Sequence, residues 1–218
     1  MRIRAFGGML LLVAAIVASG SCAADGSAGS VASASQPAVQ DVERLPNYSF
    51  KLSVATSANK ATIWRLWSDV ENWNTYDTIL QYSYLLDDAN FVAGAEGFVK
   101  AKGAPKTKFE LIEVQAPLGF VERLKIPLYQ AIELRRYFEP DAQGKTVFTH
   151  EVNFRGSLRW LAHALLGNNF RHETVRVMTR LRDLAERQER EASMALPQQQ
   201  EPKATVTNNE DEYDSATP

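Results

Sequence analysis

Helical spacing marks the stretch Ala61-Thr-Ile-Trp-Arg-Leu-Trp-Ser-Asp-Val-Glu-Asn-Trp-Asn-Thr-Tyr-Asp77, which holds three of the four tryptophans. Its apolar residues recur every three or four positions, and Ser57 or Asn59 just before it can cap a helix N-terminus. Ser68 and Asp69 offer a second start within the same stretch. The stretch therefore predicts two short helices in succession.

Strand-like alternation flanks these helices on both sides. Before them, Tyr48-Ser-Phe-Lys-Leu-Ser-Val54 alternates large apolar with polar residues, which is the period of a strand with one buried face. After them come six more strand-like segments, separated by residues typical of turns: Ile79 to Leu86, Gly97 to Ala101, Lys108 to Val114, Phe120 to Ile126, Ala131 to Phe138 and Thr146 to Phe154.

The period changes to a helical one after Gly156. One apolar stripe consists of Leu158, Leu161, Ala162 and Leu165, and a second of Val175, Met178, Leu181 and Ala185. Gly167-Asn168-Asn169 is expected to interrupt the helix between the two stripes. From Arg171 to Glu191 the second part would be about 30 Å long.

The order of these predicted strands and helices, and the residues within them, resemble the helix-grip, or Bet v 1-like, fold of the SRPBCC superfamily. The stretch 61–77 is similar to the helix signature of the polyketide cyclase/dehydrase and lipid-transport branch, although Asn74 replaces its usual proline. Phe109-Glu-Leu-Ile-Glu-Val-Gln-Ala-Pro117 and Gly156 to Glu186 match the same START-like branch. The resemblance covers residues 46–192. It implies an α+β fold in which a curved antiparallel sheet of about seven strands, with two short helices after the first, wraps a long C-terminal helix over a cavity.

The N-terminus has the pattern of an export signal. Arg2 and Arg4 precede an apolar run from Met9 to Val17, which is too short for a membrane span of about 20 residues. The only cysteine, Cys22, follows it and resembles the lipid-modified cysteine of bacterial lipoproteins, although Ser19 departs from the lipobox. We expect a signal peptide over 1–22, with simple secretion or an uncleaved anchor as alternatives, and a location in the bacterial envelope, either membrane-anchored or periplasmic.

The segments outside the predicted domain are polar and aperiodic. Residues 23–45 are rich in Ala, Ser and Gly and are expected to form a flexible tether, whereas 193–218 form an acidic tail expected to be disordered.

Composition limits the classes of function. The 218 residues carry 24 basic and 26 acidic side chains, a balance that argues against nucleic-acid binding. One cysteine and three scattered histidines argue against a metal site, and the motifs of nucleotide and covalent chemistry are missing. We therefore expect neither a metal nor a cofactor.

Strand parity predicts which side chains line the space between sheet and helix. A single β-bulge would invert this assignment. The candidate ligand-binding residues are Leu52, Val54, Leu80, Tyr82, Tyr84, Arg136, Phe148, His150, Val152, Phe154, Leu165 and Met178. The alternative is that such residues fill a solid core.

Two polar residues share this parity. If the turn at Asp141 to Gly144 sets the hairpin register, Arg136 lies opposite His150. Together with Tyr82 or Tyr84 they are candidate catalytic residues that could orient a carbonyl or move a proton. The alternative is a rim charge beside a satisfied histidine, or outward parity for both.

Three functions follow from these patterns and the resemblance. The first is a lipid-anchored, non-enzymatic carrier of a hydrophobic small molecule or lipid. The second is a cyclase/dehydrase-like enzyme without a cofactor, and the third is an envelope interaction module with a solid core. The arginines from Arg155 to Arg182 lie near and along the long helix together with Glu173, Asp183, Glu186 and Glu189, and are interpreted as a solvated face with ion pairs rather than a lipid-binding patch.

Overall fold

Eight antiparallel strands form one sheet in the computed structural model, which describes residues 41–127, 130–140 and 145–195. Two short helical segments follow the second strand, and one long helix ends the described chain. The elements are β1 (Glu43–Leu45), β2 (Ser49–Thr56), α1 (Lys60–Ser68), a 3-10 helix (Val70–Thr75), β3 (Leu80–Leu85), β4 (Glu96–Ala101), β5 (Lys106–Gln115), β6 (Gly119–Ile126), β7 (Gln130–Phe138), β8 (Thr146–Arg155) and α2 (Arg159–Ala195).

The strand order is β1-β2-β8-β7-β6-β5-β4-β3. From β3 to β8 each strand pairs with the next along the chain, whereas β2 crosses over to pair with β8. Ser49 therefore lies opposite Asn153, and its hydroxyl donates to the Asn153 side-chain oxygen at 2.6 Å. This antiparallel sheet with a long C-terminal helix confirms the predicted α+β helix-grip fold.

The tryptophan-rich stretch packs into the core. The Trp67 ring centroid lies 4.9 Å from Phe138, 5.9 Å from Phe120 and 6.2 Å from Phe148. Asn59 caps α1, because its side-chain oxygen accepts the Thr62 backbone N–H at 2.9 Å. Large aromatic side chains thus fix the short helices on the inner face of the sheet.

The C-terminal half of α2 is held by two carboxylates. Glu186 accepts the Thr56 hydroxyl at 2.8 Å and the Ser57 backbone N–H at 3.0 Å. Glu189 accepts the Asn59 N–H at 2.9 Å and the Thr62 hydroxyl at 2.6 Å. All four bonds join the helix to residues 56–62, from the end of β2 to the first turn of α1, so they help to determine where the helix crosses the sheet.

The predicted interruption of the long helix is wrong. All 37 residues from Arg159 to Ala195 form one helix, about 56 Å long at 1.5 Å per residue. Gly167 lies within it and packs against His163, since an added Cβ would lie 2.9 Å from that ring. The glycine serves close packing here rather than a break.

The ends of the domain differ from the predicted boundaries. Residues 43–45, assigned to the tether, form the edge strand β1, because Arg44 pairs opposite Phe50. This strand makes the sheet eight-stranded rather than about seven-stranded. The helix also continues to Ala195, beyond the predicted end at residue 192. The signal peptide, Cys22, the rest of the tether, nearly all of the tail and the turn at 141–144 lie outside the described residues.

In the described part of the chain, no helix combines the length and the apolar character that crossing a membrane requires.

Candidate functional site

The register of β7 and β8 brings the two predicted polar residues together. Arg136 on β7 lies directly opposite His150 on β8, as predicted, and His150 in turn lies opposite Leu52 on β2. Arg136 is 6% and His150 5% exposed, so both point into the interior. The prediction that an arginine and a histidine share the inner face is confirmed.

Glu122 on β6 completes an ion pair with Arg136. Glu122 lies opposite Leu134, two residues before Arg136, and such diagonal neighbours on one face are within reach of long side chains. The carboxylate Oε1 is 3.2 Å from the guanidinium Nη2, and both side chains are buried. Glu122 was not among the predicted site residues, although it alternates with the inward residues Phe120 and Leu124 and shares their strand parity.

Aromatic rings surround the guanidinium. The Cζ atom of Arg136 lies 5.4 Å from the ring centroid of Trp73 and 5.1 Å from that of Phe120. These distances are typical of cation–π contacts, which strengthen when water is excluded. A positive charge is therefore held within an apolar, aromatic surround.

The 3-10 helix supplies two more polar groups. Trp73 donates its indole N–H to the Trp67 carbonyl at 2.9 Å, and Ser83 donates its hydroxyl to the Val70 carbonyl at 2.6 Å. The first bond joins the short helix to α1 and the second joins it to β3, and Tyr76 and Asp77 follow at its end. The charge of Arg136 acts on both side chains. We call Tyr76, Asp77, Glu122, Arg136 and His150 the Arg136 cluster.

Hydrogen-bonding capacity in this cluster is largely unused by the protein. In the described part of the chain, seven buried side-chain nitrogen and oxygen atoms have no hydrogen-bond partner, and six of them belong to the cluster. Buried polar groups normally have partners, so such a concentration requires an explanation. The six atoms are Tyr76 Oη, Asp77 Oδ1, Glu122 Oε2, Arg136 Nη1 and both ring nitrogens of His150.

Burial shifts the protonation of these groups. It raises the pKa of the Glu122 carboxyl, an effect that the Arg136 charge opposes. It also raises the pKa of Asp77 to about 6, although Arg136 and the Ile79 backbone N–H favour the charged form. Burial together with Arg136 holds the pKa of His150 well below its usual range. The cluster thus combines a permanent cation, a neutral imidazole and two carboxyl groups that burial makes easier to protonate.

Most predicted lining residues have the predicted orientation. Parity is confirmed on β2 and β8, and Met178 on α2 points inward as well. The inward residues are Leu52, Val54, Phe148, Val152, Phe154 and Met178, each no more than 4% exposed, and Leu80 is half-buried against the same core. Their contact with a ligand stays a prediction.

The predicted orientation of Tyr82 and Tyr84 is wrong. The pairing of β3 with β4 shifts register between Leu80 and Tyr82, so a bulge reverses the parity of the residues that follow. Ser83 is buried in their place, and Tyr82 is 40% exposed. The two tyrosine rings stack with centroids 6.1 Å apart on the outer face, away from the Arg136 cluster.

The predicted inward orientation of Leu165 is also wrong. Leu165 is 47% exposed, whereas its neighbour Leu166 is 6% exposed. Because α2 is unbroken, one continuous face of the helix is buried along both of its halves. That face places Leu166 and Gly167 against the sheet. The predicted apolar stripe through Leu165 was therefore displaced by one position from the face that is actually buried, which contains Leu166.

An open depression of about 480 Å³ lies on the opposite, outer face of the sheet. Glu133 in its lining already pairs with Arg155 at 2.7 Å, and with Arg123 beside it at 2.8 Å. It is therefore a network of surface ion pairs rather than the site of the cluster. Its lining residues are Val121, Glu133, Arg135, Tyr137, Glu151, Asn153 and Arg155.

A metal site is not formed by the ranges 41–127, 130–140 and 145–195, in which no three His, Cys, Asp or Glu side chains group around a common point. The cluster offers hydrogen bonds and a positive charge instead. Its chemistry suits a polar group carried by an otherwise apolar molecule.

Comparison with known proteins identifies the fold. No family model matches the sequence, and a search of curated proteins gives no significant match. A solution structure of a protein from Arthrobacter aurescens is similar, with a TM-score of 0.53, 12% identity, and coverage of 81% of this chain and 100% of that one. A hypothetical protein from Helicobacter pylori gives a TM-score of 0.51 at 11% identity, covering 63% of this chain and 86% of that one.

A third similar structure is the di-domain ARO/CYC protein StfQ from the steffimycin biosynthetic pathway. Its TM-score is 0.52 at 9% identity, over 65% of this chain and 51% of StfQ, so this chain spans about half of StfQ. The fold and the buried cluster define a helix-grip protein with a polar group at its centre. The chain shares with these structures the helix-grip fold that its sequence signature predicts.

Proposed function

We propose that the protein binds a hydrophobic small molecule or lipid between the sheet and α2, with a polar group of that molecule at the Arg136 cluster. The observation that carries the proposal is the set of six buried polar atoms without a protein partner. Leaving such atoms unpaired costs about 1–3 kcal/mol each, which a ligand that pairs with them would recover.

The cluster specifies the kind of polar group. Arg136 Nη1 is a donor, Asp77 and Glu122 can donate when protonated and accept when charged, and neutral His150 has one nitrogen of each kind. Since Arg136 already contacts Glu122, the site needs no second full negative charge. A carbonyl or hydroxyl on an apolar body fits these demands, and the surrounding Trp73 and Phe120 fit the apolar body.

The test is to purify the full chain natively from a bacterial extract and to identify, by mass spectrometry after denaturation, the small molecules that leave with it. A stoichiometric lipid or aromatic compound is expected. The double variant Glu122→Leu with Arg136→Met should lose it while keeping its fold, because both partners of the buried pair are replaced together.

The matched control removes a similar pair from the outer face. Glu113 and Arg135 lie 3.4 Å apart in exposed positions, so Glu113→Leu with Arg135→Met should leave the compound bound. If no compound leaves with the wild-type chain and apolar dyes do not raise its Tm, the proposal fails and an interaction module with a solid core becomes the better account.

A second candidate function is acid–base catalysis of the cyclase/dehydrase kind. It is favoured by the buried His150 and by Asp77, whose pKa of about 6 is near the pH at which a general acid or base works best. With Tyr82 and Tyr84 on the outer face, Tyr76 is the tyrosine at this site. Incubating the co-purified compound with wild type and with Asp77→Asn tests it: conversion by wild type alone indicates an enzyme, and no conversion by either indicates a carrier.

We further propose that the chain is exported and acylated at Cys22 in the bacterial envelope. The proposal rests on the apolar run before this sole cysteine. Growth with an alkyne fatty acid should label the wild-type chain and not Cys22→Ser. Absence of label from both would leave simple secretion or an uncleaved signal as the account of the N-terminus.

A further inference from the structure

Leu158 and the first turns of α2 present an apolar face that the described part of the chain leaves exposed. Leu158, Leu161 and Leu165 recur at the i, i+3, i+7 spacing of one helix face, and Trp160 adjoins them. They are 36%, 38%, 47% and 52% exposed, respectively. We call these four residues the Trp160 patch. Sequence periodicity predicts burial of its leucines, but the fold buries the opposite side of the helix, through Leu166 and Gly167.

Positive charge surrounds this patch. Residues 155–172 contain three arginines and two histidines and no aspartate or glutamate, in a chain whose formal net charge is −2. Arg155 pairs with Glu133 at 2.7 Å. Within the described ranges neither Arg159 nor Arg171 forms an ion pair; their guanidinium groups lie 5.9 Å from the rings of Tyr48 and Phe50. The predicted pairing of charges therefore holds for Arg155, but not for these two.

We infer that the Trp160 patch docks on the surface of an anionic lipid bilayer. Leucines with an adjacent tryptophan on one helix face, flanked by arginines, are the composition of helices that lie in a membrane interface. The arginines complement anionic headgroups, and the leucines need cover that the described part of the chain does not provide. This inference depends neither on the internal ligand nor on acylation of Cys22.

Two other candidate partners of the Trp160 patch, a second copy of the chain and its acidic tail, fit less well than a bilayer. A second copy meeting the patch by twofold symmetry would bring Arg159 and Arg171 of both copies to one interface, where like charges repel. The acidic tail starts after Ala195, about 45 Å along the helix from Leu165. Its polar sequence could pair with the arginines but would leave the leucines uncovered.

The experiment uses the fluorescence of the full chain with vesicles of phosphatidylcholine, alone or mixed with phosphatidylglycerol. All four tryptophans lie in the described part, and of these only Trp160 is exposed. Brominated lipid should quench it on anionic vesicles and much less on neutral ones. Trp160→Phe identifies the quenched signal, and Arg159→Gln should weaken binding about fivefold.

The decisive variant is Leu161→Asp with Leu165→Asp, which should abolish quenching. Leu118→Asp is the matched control, because Leu118 is 61% exposed and lies in the β5–β6 turn, outside the patch. Vesicle binding that survives the double variant and is lost in Cys22→Ser belongs to the lipid anchor. Trp160 quenching that also survives the double variant overturns the inference.

Further outcomes overturn the inference as well. Equal quenching on neutral and anionic vesicles would contradict the role that the inference gives to anionic headgroups. Dimerisation that shields Trp160 without vesicles and disappears in Leu161→Asp with Leu165→Asp would make a second copy the occupant. A change in Trp160 emission on removing residues 197–218, again without vesicles, would make the tail the occupant.

Discussion

Arg136 and Glu122 form an ion pair 3.2 Å long inside the protein, with side chains only 7% and 3% exposed. Taking two charges out of water costs several kcal/mol, and their attraction repays this only with good geometry and further hydrogen bonds. Here one guanidinium nitrogen and one carboxylate oxygen remain without protein partners. The pair is thus a costly arrangement that a ligand would improve.

Removing one member of this pair should be strongly destabilising. Arg136→Met leaves the Glu122 carboxyl buried without a cation, and we expect the free energy of unfolding to fall by about 3–5 kcal/mol. Urea denaturation followed by circular dichroism measures this. Arg135→Met, next in sequence but in an exposed ion pair, should cost no more than about 1 kcal/mol. Similar costs for both variants would contradict burial of the pair.

Stability should depend on His150 at mildly acidic pH. The folded state holds the His150 pKa well below 6.5, so the unfolded chain takes up a proton first as the pH falls below 6.5. The wild type should then lose stability relative to His150→Gln, by up to about 1.4 kcal/mol per pH unit. Urea titrations of both proteins at several pH values test this. A pH-independent difference would show that His150 is not buried in its neutral form.

Asp77 should have the opposite pH dependence. Its pKa rises from 3.8 to about 6 on folding, so the folded state binds more protons between these values and stability falls as the pH rises through them. The shift corresponds to about 3 kcal/mol. Asp77→Asn should therefore gain stability over wild type by up to this amount from pH 3.8 to about 6. The prediction is wrong if the two proteins titrate in parallel.

Glu186 should stabilise the attachment of α2 at neutral pH. Burial opposes its charge, but hydrogen bonds from Ser57 and Thr56 prevail and lower its pKa below 4.5. Glu186→Gln should cost about 1–2 kcal/mol at neutral pH. The cost should disappear as the pH falls through the lowered pKa, because the wild-type carboxyl is then protonated too. Glu191→Gln, at an exposed position on the same helix, serves as control and should change little.

Sequence reasoning succeeded where one period applied without interruption. Parity on β8 predicted the inward side chains, and the β7–β8 register predicted Arg136 opposite His150. It failed on β3, where a bulge before Tyr82 reverses parity without leaving a glycine or proline in the sequence. It also failed at Leu165, because periodicity shows that a helix is amphipathic but not that its apolar face meets the protein.

Part of the candidate site was accessible to the same reasoning and part was not. Glu122 shares the parity of Phe120 and could have been included. Asp77 could not, because it follows the 3-10 helix, where neither the strand nor the α-helical period applies, and its burial depends on packing around Trp73. The polar cluster is assembled from four elements, and their meeting is a property of the tertiary fold.

The pairing of β2 with β8 has a kinetic consequence. Ser49 and Asn153 are 104 residues apart, so at synthesis rates of about 5–20 residues per second β2 waits roughly 5–20 s for its partner. Closing so long a loop early is entropically costly, and sheets built from distant pairings fold slowly. The sheet therefore cannot be completed until β8 has left the ribosome. The N-terminal strands β1 and β2 of such a chain therefore stay outside the completed sheet while the rest of the chain is still being synthesised.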